Sequence, residues 1–170
     1  EGTTFGIPGV AEHAFQMKSV GDAREIRHSL LSAYESVEDG LLPLETLNVV
    51  IVGGGPTGVE LAGAVKELQH EIHREFEHIA PKATVTLLEA GPRLLPTFHP
   101  QSSKYTLKTL TKMGVHVQVD AAVIEATPQS LRLKDGSEIF AGTRIWAAGV
   151  VAPPHWKFLG ETDRGNRIKV

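Results

Sequence analysis

Gly53, Gly55 and Gly58 fall at G-x-G-x-x-G spacing, directly after Asn48–Val52, a short run rich in β-branched residues. An amphipathic stretch follows at once. Those residue types at that spacing suit a dinucleotide diphosphate. Gly53 permits a tight turn, Gly55 lets a pyrophosphate approach the backbone, and Gly58 brings helix and strand close together. The free N–H groups and the positive dipole end of the helix would hold the anion. A glycine triplet alone is equally a structural turn; a strand before it, a helix after it and a later acid favour the dinucleotide. That acid is Glu89, which ends a second strand, Thr84–Leu88. A carboxylate there can accept both ribose hydroxyls of an adenosine, which favours NAD over NADP. The competing reading is a solvated strand end. Arg93 follows Gly91-Pro92 and could instead reach a 2′-phosphate, so NADP is disfavoured and not excluded.

The elements that must position these residues follow from apolar periodicity. Residues 1–20, with Gly2, Gly6, Pro8 and Gly9, read as extended or loop structure. Asp22 and Glu25 resemble a capping box opening a helix whose apolar face is Ile26, Leu30, Ala33, Tyr34 and Val37. Gly40 and Pro43 end it. After the glycine turn, Leu61, Val65, Leu68, Ile72, Phe76 and Ile79 predict one long helix from Thr57 to about Ile79, stopped by Pro81. That length explains why Glu89 comes later than the usual spacing of about 20 residues. Pro100–Met113 reads as a further helix with Leu107, Leu110 and Met113 inward, and Val115, Val117 and Val119 as a third strand. Val123–Ala126, Leu131–Leu133 and Ile139–Phe140 then read as three small antiparallel strands, with a hairpin at Asp135-Gly136. Arg144–Ala148 is one more strand, closing on Gly149. Pro153-Pro154 marks a linker and Ile168–Val170 an extended segment. The fold class is therefore α/β: a Rossmann-like parallel sheet flanked by helices, with a three-stranded antiparallel meander replacing one crossover helix.

Composition removes several alternatives. At 170 residues, 41% hydrophobic and 22% charged, the chain is an ordinary globular sequence with material for one core. A net charge of −3 gives no argument for nucleic acid. Trp146 and Trp156 accordingly read as core and interface residues. With no cysteine, neither a disulfide framework nor a thiol redox pair can operate. No apolar run is long enough to span a bilayer. His70, His73 and His78 lack the H-E-x-x-H spacing of a zinc protease and suit the wet side of a helix, so no metal site is expected. There is no G-x-S-x-G elbow and no phosphate-loop motif G-x-x-x-x-G-K-[ST].

Four stretches, FGIPGVAEHAFQMKS (Phe5 to Ser19), VVIVGGGPTGVELAG (Val49 to Gly63), LLEAGPRLLP (Leu87 to Pro96) and IWAAGV (Ile145 to Val150), resemble the type II NADH dehydrogenases. These NADH:quinone oxidoreductases are flavoproteins with two dinucleotide-binding domains. The resemblance covers nearly the whole chain and implies an NADH-binding domain inserted into an FAD-binding domain. On this basis 1–45 is a connecting segment with one helix, 46–150 the NAD(H)-binding domain, and 151–170 a return linker toward the FAD domain. The resemblance implies that Gly53, Gly55, Pro56, Thr57 and Gly58 cradle the pyrophosphate. Glu60 would sit near the nicotinamide ribose, although a solvated carboxylate at a helix start explains it equally well. Glu89 would hold the adenosine ribose, Val123 would lie against adenine, and Ala148 and Gly149 would line the nicotinamide end. No residue here is expected to act as a catalytic acid or base. The parent would pass a hydride from NADH to FAD and electrons to a quinone, peripheral on the cytoplasmic face of a membrane; the chain alone would bind NADH but not FAD. Two other readings stand beside it: a sulfide:quinone or ferredoxin-type reductase of the same architecture, and a non-catalytic NAD-binding module. An apolar surface normally covered by the flavin domain would favour self-association, a homodimer included.

Overall fold

The chain, a computed structural model, is described over residues 3–149 and at Glu161. In chain order it forms α1 (Val10–His13), β1 (Phe15–Gln16), α2 (Val20–Glu38), a 3-10 turn (Leu44–Leu47), β2 (Val49–Val52) and α3 (Pro56–Ile72). A second 3-10 turn (Ala80–Lys82), β3 (Val85–Leu88), α4 (Pro100–Met113) and β4 (Val115–Gln118) follow. The last strands are β5 (Val123–Ala126), β6 (Ser130–Leu133), β7 (Glu138–Phe140) and β8 (Thr143–Trp146). Five strands make a parallel sheet in the order β1-β8-β2-β3-β4, and β5-β6-β7 make a separate antiparallel sheet.

Strand alternation explains the layering. Val49, Ile51, Val85 and Leu87 point to one face and pack with Ile26 and Leu30 of α2, Ala62 and Val65 of α3 and Leu110 of α4. Val50, Val52, Leu88 and Trp146 point to the other, where Val123, Ala126, Leu131 and Leu133 of the meander cover them. With both faces covered, β2, β3 and β8 are buried along their whole length; β2 is a continuous Val-Val-Ile-Val run, whereas Thr86 interrupts β3 and Thr143 and Arg144 open β8. The meander thus does the work of the crossover helix it replaces. Its hairpin turns at Asp135-Gly136, where Gly136 has φ 89° and the Asp135 carboxylate accepts from the Ser137 N–H at 2.9 Å.

The structure corrects five local expectations. Residues 1–20 are not merely extended: Phe15–Gln16 joins the main sheet as an edge strand, parallel to β8. Two residues carry too short a pattern to announce a strand. The capping box opens one turn earlier than Asp22–Glu25, with Ser19 as N-cap. Its hydroxyl accepts from the Asp22 N–H at 3.1 Å, and the Asp22 carboxylate accepts from the Ser19 N–H at 2.7 Å. The helix after the glycine turn ends at Ile72, not Ile79. A helix of 23 residues would run about 34 Å, whereas the four-residue strand beneath it spans only about 13 Å. The chain instead turns, with the N–H groups of Glu75 and Phe76 both donating to the Ile72 carbonyl. Phe76 and Ile79 then fold back against Tyr34 and Ile72. Leu107 is 42% exposed, because α4 covers the edge strand β4 and Leu107 lies at the rim of its inward stripe. Val119 lies past the end of β4 and is exposed. Pro153-Pro154, Trp156 and Ile168–Val170 fall outside the described residues.

Removing the cap of α2 gives a clean stability test. Ser19→Ala is expected to destabilise the protein by about 1 kcal/mol, which lowers Tm by roughly 2–4 °C for a chain of this size; thermal unfolding measures it. The Asp22 carboxyl is held below its ordinary pKa, chiefly by the backbone N–H of Lys18 and then by that of Ser19. Its contribution is therefore present at neutral pH and is lost as pH falls through the folded-state value.

Candidate functional site

β2 leads straight into the glycine turn, and each glycine there has a separate reason. Gly53 has φ 115°, a conformation open to glycine, and a Cβ on it would lie 2.8 Å from the Ala148 nitrogen. A Cβ on Gly58 would overlap the Gly53 carbonyl oxygen, so the start of α3 lies directly against the turn. Gly55 differs: a Cβ there meets no protein atom within 4 Å. The space beside Gly55 is open, which leaves room for a diphosphate to approach the backbone.

The end of α3 facing that space is chemically unfinished. Ser19 caps α2 and the His99 side chain caps α4, whereas the N-cap of α3, Gly55, supplies no side-chain hydrogen bond. Pro56 at the first helical position has no N–H to satisfy. Among the described residues, the N–H groups of Gly55, Thr57 and Gly58 have no hydrogen-bond partner. Three amide donors at the positive end of a 17-residue helix form an anion site.

Glu89 continues β3 by one residue and is fixed by its backbone: its N–H donates to the Gln118 carbonyl and its own carbonyl accepts from the Ala121 N–H, both at 2.9 Å. The side chain reaches across to the glycine turn. One carboxylate oxygen accepts from the Gly54 N–H at 2.6 Å, the other from the Gly91 N–H at 2.7 Å. Each oxygen keeps a further lone pair for a ligand hydroxyl. The acid and the glycine turn therefore form one unit, although 35 positions separate Glu89 from Gly54.

Other candidate residues are placed as follows. Glu60 is exposed on the second turn of α3. Val123 is 7% exposed and lies in the core beneath the meander, so it offers a ligand little surface. Ala148 touches the turn beside Gly53. Gly149 has φ 76°, and a Cβ on it would strike Thr3 and the Phe5 ring. The start of the chain crosses there: Thr3 donates to the Gly149 carbonyl at 3.2 Å, the Trp146 indole donates to the Thr3 carbonyl at 2.9 Å, and Phe5 packs edge-on to Trp146. A crossing segment thus supplies a reason for glycine at 149 that the sequence does not reveal. Arg93 is folded onto its own loop, donating to the carbonyls of Pro96 at 2.6 Å and Phe98 at 3.1 Å. His70, His73 and His78 are exposed.

Two participants escape sequence reasoning. Gly54 lies between the counted positions of the glycine motif, yet a Cβ on it would lie 2.8 Å from both Cβ and a carboxylate oxygen of Glu89. Gly91 reads only as a chain break, yet its N–H holds the second carboxylate oxygen. The one signal was their proximity to residues already singled out.

Parallel sheet, glycine turn and meander together define a Rossmann-like domain of the flavoprotein-reductase class. The chain belongs to the pyridine nucleotide-disulphide oxidoreductase family, whose pattern matches residues 1–170. It is 36% identical to the type II NADH:quinone oxidoreductase Ndh of Mycobacterium tuberculosis, over 98% of this chain and 39% of that protein. It is 38% identical to the internal alternative NAD(P)H-ubiquinone oxidoreductase A1 of Arabidopsis thaliana mitochondria, over 100% of this chain and 34% of that one. Among solved structures, NDH2 from Plasmodium falciparum in complex with NADH superposes with a TM-score of 0.83 at 28% identity, covering 89% of this chain and 33% of that one. The chain thus spans little more than a third of the length of these relatives.

Proposed function

We propose that this chain is the NADH-binding domain of a type II NADH:quinone oxidoreductase, with residues 46–150 as the binding unit and the flanking segments leading to an FAD-binding domain. The observation that carries this reading is the joining of Glu89 to the glycine turn: an anion site and a ribose acceptor held in one hydrogen-bonded unit. NADH, when bound, supplies a hydride to the flavin of the longer protein, whose electrons then pass to a quinone. The amides of Gly55, Thr57 and Gly58 would hold the diphosphate, with Gly53 and Pro56 shaping the turn. Glu89 would accept the two adenosine ribose hydroxyls, and Glu60 would face the nicotinamide ribose. Val123 would support the adenine from the core side. Ala148 and Gly149, small and close to Gly53, would leave room for the nicotinamide ring to lie against the flavin. These residues position and shield the ring and move no proton. NADH is preferred to NADPH, because Glu89 would repel a 2′-phosphate and Arg93 is committed to loop carbonyls. Among the described residues no helix is long and apolar enough to cross a membrane, and the proposed location is the cytoplasmic face of one.

Gly55 separates ligand binding from folding. Gly55→Val places its side chain where the protein has no atoms, so Tm should change little. NADH affinity should fall at least about tenfold, since the side chain blocks diphosphate approach to the backbone. Isothermal titration with NADH, alongside thermal unfolding, reads both. Unchanged affinity in this variant would remove the diphosphate from the turn and the reading with it.

A further inference from the structure

At the other end of the sheet, where β2 and β8 begin, a groove of about 470 Å³ opens between the approach to β2 and the meander. Leu42, Pro43 and Thr46 line it from the approach to β2, and Gln129, Phe140 and Gly142 from the meander and the turn before β8. The strands lie between this groove and the glycine turn. At its inner edge is Arg144, nine-tenths buried. Its position on β8 puts it on the meander face of the sheet, where a core side chain belongs.

Among the described residues, Arg144 is a buried cation without a counter-ion. Its Nε donates to the His13 carbonyl at 2.8 Å and its Nη1 to the Ala141 carbonyl. Both partners are neutral. Among the described residues the only ion pair joins Arg132 and Glu125, so no carboxylate lies within 4 Å of Arg144. Among the described residues Nη2 has no partner, and it is not among the side-chain atoms sealed away from solvent. Burial accordingly lowers the pKa of the guanidinium from its ordinary value, with no charged group offsetting it. A desolvated guanidinium is costly unless an anion faces it. The two carbonyls leave a second Nη1 hydrogen and both Nη2 hydrogens, the pair of donors that grips a carboxylate in bidentate fashion.

We propose that this groove is a second binding site, separate from the glycine turn, for a small monocarboxylate with an apolar body. The carboxylate meets Arg144, and the apolar body lies against Leu42, Pro43 and Phe140. One guanidinium matches one negative charge, which selects a monoanion over a diphosphate. Phe140 and Leu42 are 54% and 44% exposed, giving the ligand apolar surface to cover. The volume suits a small molecule. Glu45, exposed on the rim, adds a like charge that holds affinity down. The inference does not depend on NADH binding.

The probe is phenylacetate, titrated calorimetrically into the 170-residue chain beside its neutral isostere phenylacetamide. Expected is saturable one-site binding of the acid, roughly tenfold or more tighter than the amide, the usual gain from a charge-assisted hydrogen bond. Arg144→Met should erase the preference for acid over amide. Should that variant fail to fold, Glu45→Gln carries the test, because removing the rim charge should tighten phenylacetate binding about two- to fivefold. Saturating NADH should not displace the probe. Absence of saturable binding, equal affinity for acid and amide, no response to Glu45→Gln, or displacement by NADH would each overturn the assignment. Displacement would put the anion at the glycine turn instead.

Discussion

Gly58→Ala is expected to separate α3 from β2 and to abolish tight NADH binding while weakening the fold. A Cβ at this position would overlap the Gly53 carbonyl oxygen, lie 3.0 Å from the Gly53 carbonyl carbon, and sit 3.5 Å from a Leu87 methyl. The first two contacts are with backbone, which cannot rotate away as a side chain can. The first turn of α3 must therefore lift. Overpacking of this kind destabilises by about 1–3 kcal/mol or more, so Tm should drop by roughly 2–12 °C. The larger effect is on the ligand. A displacement of about 1 Å moves the amides of Gly55, Thr57 and Gly58 off their shared target and should weaken NADH about a hundredfold. Gly63→Ala on the same helix is the control, since its Cβ would meet only a Met113 methyl at an ordinary 3.7 Å. That change should be neutral or stabilising by up to about 1 kcal/mol. Similar behaviour of the two variants in unfolding and NADH titration would show that the close approach at Gly58 has no part in the site.

Glu89→Ala is expected to weaken NADH by at least about tenfold and to narrow the preference for NADH over NADPH. Two effects combine. The N–H groups of Gly54 and Gly91 lose their acceptor, leaving part-buried donors unsatisfied at about 1–3 kcal/mol each. The ribose hydroxyls lose a charged acceptor as well. The first effect is structural and harms both cofactors alike. The second is selective: removing the carboxylate also removes its repulsion of a 2′-phosphate, so NADPH should lose less affinity than NADH. Titrating wild type and variant with both cofactors separates the two contributions. An equal loss for both would leave Glu89 a brace of the glycine turn and nothing more; equal wild-type affinity for both would contradict the cofactor assignment outright.

The elements around the site were legible because each is written in a local pattern. A β-branched run, glycines at fixed offsets and an amphipathic stretch specify strand, turn and helix from neighbouring residues alone. The Asp135-Gly136 hairpin and the short alternating segments around it gave the meander in the same way. Glu89 was legible as the acid ending the next strand. Its distant partner was not, because an acid beside Gly54 needs α3 to cross over and return β3 parallel to β2, whereas Gly91 lies only two positions on.

Tertiary packing also decided matters that local period misreported. Phe76 and Ile79 keep helical spacing with Ile72, yet a short sheet gives a longer helix nothing to cover, and the chain turns instead. Leu107 belongs to an apolar set that an edge strand cannot wholly bury. Gly149 lies under a segment that begins 146 positions earlier, at Thr3. Arg144, in sequence only one residue of a strand, meets the His13 carbonyl and the groove through packing alone. Sequence determines what the backbone can do over a few residues: its periodicity, its turns and the ends of its elements. Which side chain meets which, across 35 positions for Glu89 and Gly54 or 131 for Arg144 and His13, is decided by how the layers pack, since such contacts form only once the crossover has placed the strands side by side.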